Sequence, residues 1–492
     1  MIFMFLFFYL VTRIELMNVS NVLLIDIANG DVIVSLCSSV GKILDQQIRS
    51  FDCHDSQDFG LHCDANEFLY ATRSAINSLI VALPKRQQIH NIGIVGQMNT
   101  FLFCDKESGI VLTPSFFLED DRALDTYLTI KNTSIIKGYR DITEQSLSRY
   151  SLFTHLKWFL EKGISSFSFS PQRSLCMSLE LYLLFNLSGL TAFQQDFVSA
   201  SSTGFFDFKA NDFSSIIIKD LNLTRQCFPD LVSPFAMQQN SKGFVPLKDG
   251  IPVSFMIHSS VKNWLFDSNI QCGALNIHVG NNHISIEQHM GMEMIKSDQF
   301  ISKSLVVKKN ESFYCLKDFI SVPHFSTKLL PLSFSELVAK KVALSNFKSW
   351  IIFNPDSSDL NQDFALINQG GNSLDYLFET ALLEGLFNVL RFKLATFETV
   401  SNMRPHTFYC TSTLAIHDSV WQFCADILQH PLVILDSDQS HLGLVNELQL
   451  GNQNSHVIKP YQSKIVTPIQ DPISSYARYQ SWVTYYQKIF KN

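Results

Sequence analysis

Residues 23–36, LLIDIANGDVIVSL, set two apolar runs on either side of a polar turn. Asn29, Gly30 and Asp31 between such runs predict a β-hairpin, because Asn-Gly readily takes the positive φ angles of a tight turn between twisted strands. A polar stretch follows to about residue 63. From Asp64 the period changes: Phe68, Leu69, Ala71, Ala75, Ile76 and Leu79 recur at helical spacing, with Asp64 as N-cap and Glu67 three positions on, as in a capping box. IHNIGIVGQMNTFLFCDKESGIVLTP then reads as strand, turn at 96–99, strand, turn at 106–109. FTHLKWFLEKG (153–163) and SLELYLLFNLSG (178–189) have helical character, as do 330–345 and 372–394; TFYCTSTLAIH is a strand and turn.

Residues 211–250 are short elements punctuated by Pro229, Pro234 and Pro246. A new strand begins at Ile251, and residues 251–283 repeat the opening logic of strand, polar turn, helix and strand. Alternating β and α elements that start twice predict two α/β domains of similar plan, with a cleft between them as a favoured ligand site. The expected division is an apolar extension over 1–17, a first domain over 18–250 and a second over 251–492.

Composition narrows the function classes. At 46% hydrophobic and 17% charged the chain is globular, and a net charge of −7 without a basic block argues against nucleic acid as a partner. There are 42 Phe but only 20 Gly, which is sparse for phosphate loops that need bare backbone. The ten cysteines form no CxxC pair. CHDSQDFGLHC at 53–63 holds Cys53, His54, His62 and Cys63, but adjacent Cys–His pairs are awkward donors to one zinc tetrahedron, and an ordinary reduced loop is expected instead. The apolar start, MIFMFLFFYLVTRIEL, is too short for a membrane span of about 20 residues. It lacks the basic start and clear cleavage site of a signal peptide, and Met17 opens a sensible soluble chain. A cytoplasmic protein without a membrane span is expected.

The order of landmarks resembles that of the FGGY carbohydrate kinases, and sedoheptulokinases among them. NIGIVGQMNTFLF (91–103) is similar to the family strand ending in Gly-Gln-Met-His, and LEDDR (118–122) stands where a Trp-x-Asp-x-Arg pattern occurs. QQDFVSASSTGFFDFKANDFS (194–214), CGALNIHVGN (272–281) and ETALLEGLFNVLR (379–391) resemble three further family segments, in order. The resemblance implies a two-domain actin-like, ribonuclease-H-like ATPase fold. Sugar would bind mainly to the first domain, and ATP with Mg²⁺ to the second. An aspartate at the start of the second domain would take the proton of the sugar hydroxyl as phosphate arrives.

Each implied site departs from the family pattern. Asp26 stands at the aspartate of the phosphate hairpin and would position Mg²⁺ through water, but the Gly-Thr-Thr positions hold Ala28, Asn29 and Gly30, and Ile33 replaces a lysine. The catalytic base falls on Ser259 counted from Pro252, or on His258 counted back from Leu275. Neither is a carboxylate, although a histidine titrates near neutral pH. The second phosphate loop has His278, Val279 and Gly280 in place of hydroxyls; the adenosine loop has Thr411, Ser412 and Thr413 in place of glycines, and Gly443 survives from a later segment. The sugar side is better kept: Gln97, Met98, Asp120 and Arg122 remain, with Asn99 in place of histidine and Leu118 in place of tryptophan. For Asp120 and Arg122 the alternative is a solvated ion pair on an exposed loop. Three functional readings follow: a sedoheptulokinase-like ketose kinase with weak activity, a pseudokinase that binds sugar without transferring phosphate, and an interaction protein with an empty cleft whose phenylalanines meet a protein partner.

Overall fold

A computed structural model describes residues 21–491 except 29, 39–40, 57, 84–87, 97–98, 119, 132, 146, 164–166, 168, 234–236, 260–263, 265–269, 281–282, 292–301, 309–310, 322–332, 342–348, 356–363, 369–377, 413, 436–442 and 446–462. The chain divides into two compact units. The first is Met1–Phe266 with Ser304–Glu311 and Ser440–Lys459, and the second is Asp267–Lys303, Ser312–Gln439 and Pro460–Asn492.

In the first unit, β1 (Asn21–Ala28) and β2 (Asp31–Cys37) form the expected hairpin, with Ala28 opposite Asp31 and Gly30 at φ +87°. Antiparallel β3 (Ile43–Ser50) extends it. A short hairpin, β4 (Cys53–Ser56) with β5 (Gly60–Cys63), leads into α1 (Ala65–Ala82). Asp64 caps α1 by accepting the Asn66 N–H at 2.8 Å. Next, β6 (Ile89–Gly96) pairs parallel to β1 on the side away from β2. It is followed by β7 (Thr100–Asp105), β8 (Ser115–Phe117), α2 (Leu152–Trp158), β9 (Ser174–Met177) and α3 (Leu179–Leu187). Last come β10 (Gln194–Asp196), α4 (Phe197–Ser202), β11 (Gln239–Asn240) and β12 (Pro252–His258). The main sheet runs β11-β12-β6-β1-β2-β3. A second core, rich in aromatics, gathers Phe101, Phe103, Phe116 and Phe159 with Phe153 and Trp158. Much of the phenylalanine excess is spent there.

The second unit repeats the plan. A hairpin of β13 (Leu275–Val279) and β14 (His283–His289) is extended by antiparallel β15 (Glu311–Ser321). On the other side of β13 lie parallel β16 (Phe408–Ser412) and β17 (Leu432–Ile434), then antiparallel β18 (Lys464–Val466). Its core draws on α5 (Phe378–Ser401), α6 (Asp418–Leu428) and α7 (Pro472–Tyr486). Both sheets therefore place a hairpin strand centrally, with its hairpin partner and a further antiparallel strand on one side and two parallel strands next to it on the other.

That duplication relocates the second start. The strand at 252–258 is, in chain order, the last of the six strands of the first sheet, held parallel to β6 from Val253 opposite Ile92 to His258 opposite Gly96. The repeat opens at Leu275 instead, and the first unit's opening stretch continues past residue 250 to Phe266. Among the described residues no helix is long and apolar enough to cross a membrane.

Candidate functional site

Three parallel strands end side by side in the first unit. Gly96 closes β6, with Ile27 of β1 opposite it on one side and His258 of β12 on the other. Asp26, 6% exposed, stands one position before this end, opposite Val95. In α/β sheets ligands gather beyond such carboxyl ends. His258 is half-buried, and Ser259 follows it just past the strand end, also half-buried. The structure thus brings the phosphate-hairpin aspartate and the base position to one edge. Gln97 and Met98, which continue β6, lie outside the described residues.

Gly96 is needed for its missing side chain. A Cβ there would lie 2.0 Å from Oε1 of Glu180, whose carboxylate is buried on α3. Gly96→Ala should therefore destabilise the chain by about 1–3 kcal/mol through overpacking. The exposed helical Gly138 meets nothing within 4 Å, so Gly138→Ala should be neutral or stabilising by up to about 1 kcal/mol. Denaturant unfolding of the two variants checks both signs.

The sugar-side residues meet where β7 pairs with β8. The carbonyl of Asn99 accepts the Leu118 N–H at 2.8 Å, which fixes the two replaced positions against each other. Beyond Leu118, the Asp120 carboxylate accepts the Leu61 N–H at 2.7 Å and the Arg122 backbone N–H at 3.1 Å. Arg122 donates Nε to Asp120, and Nη2 to Asp120 and to the carbonyls of Leu61 and Phe117. Its guanidinium lies over the Phe116 and Trp158 rings, at 5.1 and 5.5 Å from their centroids. The side chains are 4% exposed for Arg122 and 16% for Asp120, so this is a buried pair and not a solvated one. Gly60 makes room for it: at φ +58°, a Cβ there would lie 2.4 Å from Asp120 Oδ2.

Sequence periodicity gave no warning of two more buried polar groups in this unit. His155 of α2 is fully buried, and its pKa is pushed down to about 4 by burial; the nearby Asp120 charge works the other way and the Arg122 charge works with burial. Asp196 caps α4 by accepting the Ser199 N–H at 2.9 Å, and burial raises its pKa to about 6. For His155 the sequence signal was a polar residue inside an apolar stretch.

In the second unit the nucleotide-side residues gather around β13 and β16. Thr411 Oγ1 and His278 Nδ1 are hydrogen-bonded at 2.9 Å, and Ser412 Oγ donates to the Val279 carbonyl at 2.9 Å. Gly280 is buried at the end of β13. Thr413 lies outside the described residues, and Gly443 is buried in a segment that clusters with the first unit. Both hydroxyls are therefore committed to the protein's own groups. Among the described residues no group of three or more His, Cys, Asp or Glu is arranged to hold a metal ion. Asp26 matches the one carboxylate that a largely hydrated Mg²⁺ requires. In the 53–63 hairpin, Cys53 stands opposite Cys63 and His54 opposite His62. Successive strand residues point to opposite faces, so the four cannot converge on one zinc ion.

The model of the N-terminal domain of the FGGY family of carbohydrate kinases matches residues 22–261. That match covers just under half of the chain and makes this stretch similar to the FGGY carbohydrate kinases. Glycerol kinase of Staphylococcus epidermidis is 24% identical over 198 residues, 40% of either chain. Glycerol kinase of Myxococcus xanthus is 22% identical over 237 residues, 48% of either chain. The matches thus span less than half the length of these curated relatives. Solved structures show the FGGY fold over nearly the whole chain. Plasmodium falciparum glycerol kinase with ADP superimposes with a TM-score of 0.82 at 15% identity, covering 96% of this chain and 98% of that one. Ligand-bound xylulose kinase of Lactobacillus acidophilus gives 0.78 at 16%, covering 96% and 97%. The fold is the two-domain actin-like one that the FGGY resemblance implies.

Proposed function

We propose that this chain is an FGGY kinase that phosphorylates a ketose of the sedoheptulose class, using ATP and Mg²⁺, and that it does so slowly. The reading rests on one observation: β1, β6 and β12 end together and present Asp26, Gly96 and His258 on one edge. Asp26 would act through metal-bound water, and His258, at the end of the strand where the family carries its base, would accept the hydroxyl proton. An imidazole can do this near neutral pH. Phosphoryl transfer otherwise depends on positioning and charge neutralisation. Sugar would bind through Gln97, Met98, Asn99, Asp120 and Arg122, and nucleotide through Gly30, Gly280, Thr411, Ser412, Thr413 and Gly443. The protein would be cytoplasmic.

A second reading, a sugar-binding pseudokinase or interaction module, is favoured by the Thr411–His278 bond, which occupies a hydroxyl that nucleotide would need. The test is ATP-dependent phosphorylation of sedoheptulose by the chain started at Met17, with Mg²⁺ present. Product that His258→Ala abolishes supports the first reading. No product from folded protein that still binds sedoheptulose by calorimetry supports the second. Ser259→Asp alone should change turnover by less than about tenfold, short of the ~10²–10⁴-fold that a general base contributes, because both phosphate loops are altered too. Robust turnover in that variant would overturn this weighting.

A further inference from the structure

The hairpin of β4 and β5 sets two cysteines directly opposite each other. Cys53 pairs with Cys63 in antiparallel register. Paired residues of this kind have Cα atoms about 4.5–5.5 Å apart, inside the range of roughly 4.4–6.8 Å that a disulfide spans. Both are free thiols and they are unequal: Cys53 is exposed and Cys63 is buried. They share a side-chain hydrogen bond, which lowers the pKa of Cys53 against the opposing effects of burial, Asp52 and Asp31. The same bond, together with burial, raises that of Cys63. The accessible sulfur is thus the more readily ionised of the two, and it faces a partner that holds its proton. Reactive redox cysteines have this arrangement, a solvent-reachable thiolate next to a resolving thiol.

We propose that Cys53 and Cys63 form a reversible intrachain disulfide on exposure to hydrogen peroxide. The Cys53 thiolate attacks a peroxide oxygen; the O–O bond breaks, leaving a sulfenic acid on Cys53 and, after proton uptake, one water. The Cys63 sulfur then attacks the sulfenic sulfur, the S–S bond forms, the S–O bond breaks, and the Cys63 proton leaves in a second water. Two electrons pass from the cysteine pair to the peroxide. The bond would tie together two elements of the site edge. Sγ of Cys53 lies 3.5 Å from where a Gly30 Cβ would stand in the β1/β2 turn. Cys63 lies on the strand whose Leu61 backbone holds Asp120 and Arg122.

The test uses the full reduced chain, treated with graded hydrogen peroxide, alkylated, and mapped by peptide mass spectrometry without reduction. The expected product is a Cys53–Cys63 linked peptide with a two-hydrogen mass loss, reversed by dithiothreitol, while the other exposed cysteine, Cys272, stays alkylatable. In Cys63→Ser the reaction should stop at a Cys53 sulfenic acid trapped by dimedone. The proposal is overturned if Cys272 oxidises while Cys53 and Cys63 remain alkylatable, or if either cysteine links to a different partner. Mapping of the unmodified sequence decides the matter even where a serine variant fails to fold.

Discussion

Asp120→Ala should destabilise the chain by about 3–5 kcal/mol, because it leaves a buried guanidinium without its counter-ion. Arg122 is 4% exposed and sandwiched against Phe116 and Trp158, so water cannot take the place of the lost carboxylate. The same change removes the acceptor for the Leu61 N–H and leaves the Arg122 bond to the Leu61 carbonyl as the remaining polar tie described between this loop and Leu61 of β5. Asp120→Asn keeps one oxygen for Leu61 and should cost less, about 1–3 kcal/mol. Urea unfolding with an unchanged denaturant dependence would report both losses as stability. An alanine variant as stable as the parent would show that the pair does not hold this part of the fold. The distinction matters for sugar binding: a loss of affinity in the alanine variant reports the fold, whereas a loss in a folded asparagine variant reports contact with the sugar.

The same residues show where the sequence could be read and where it could not. The β1/β2 hairpin and helix α1 were legible because their signals are local: Asn-Gly between apolar runs, and an aspartate cap before a helical stripe. The strand at 252–258 was legible as a strand but not as the last strand of the first sheet, since its partner Gly93 lies far upstream of Phe255. A strand, polar turn and helix look alike whether they close one sheet or open another. LEDDR reads as a charged turn, and the burial of Asp120 and Arg122 within it depends on Phe116 just upstream and on Gly60 and Trp158 from two other segments. The candidate base was narrowed to two adjacent positions by counting, and the register of His258 with Gly96 shows which one still belongs to the strand.

Removing either Asp196 or His155 should expose a pH dependence that the two conceal in each other. Burial raises the Asp196 pKa from 3.8 to about 6, so between these values the folded state holds a proton that the unfolded state has released. Stability from this group therefore falls as pH rises from 4 to 6. Burial lowers the His155 pKa from 6.5 to about 4, so there the unfolded state holds the extra proton and stability rises from pH 4 to 6.5. At 1.36 kcal/mol per pKa unit each effect is about 3 kcal/mol, and the signs oppose. Unfolding free energies taken as differences from the parent chain cancel the other carboxylates. Asp196→Asn, which keeps an oxygen for the Ser199 N–H, should gain about 3 kcal/mol on the parent between pH 4 and 6, because the falling contribution is gone. His155→Leu should lose about 3 kcal/mol on the parent between pH 4 and 6.5. Differences that stay flat across this window would mean that neither group is held in the buried, neutral form at pH 5.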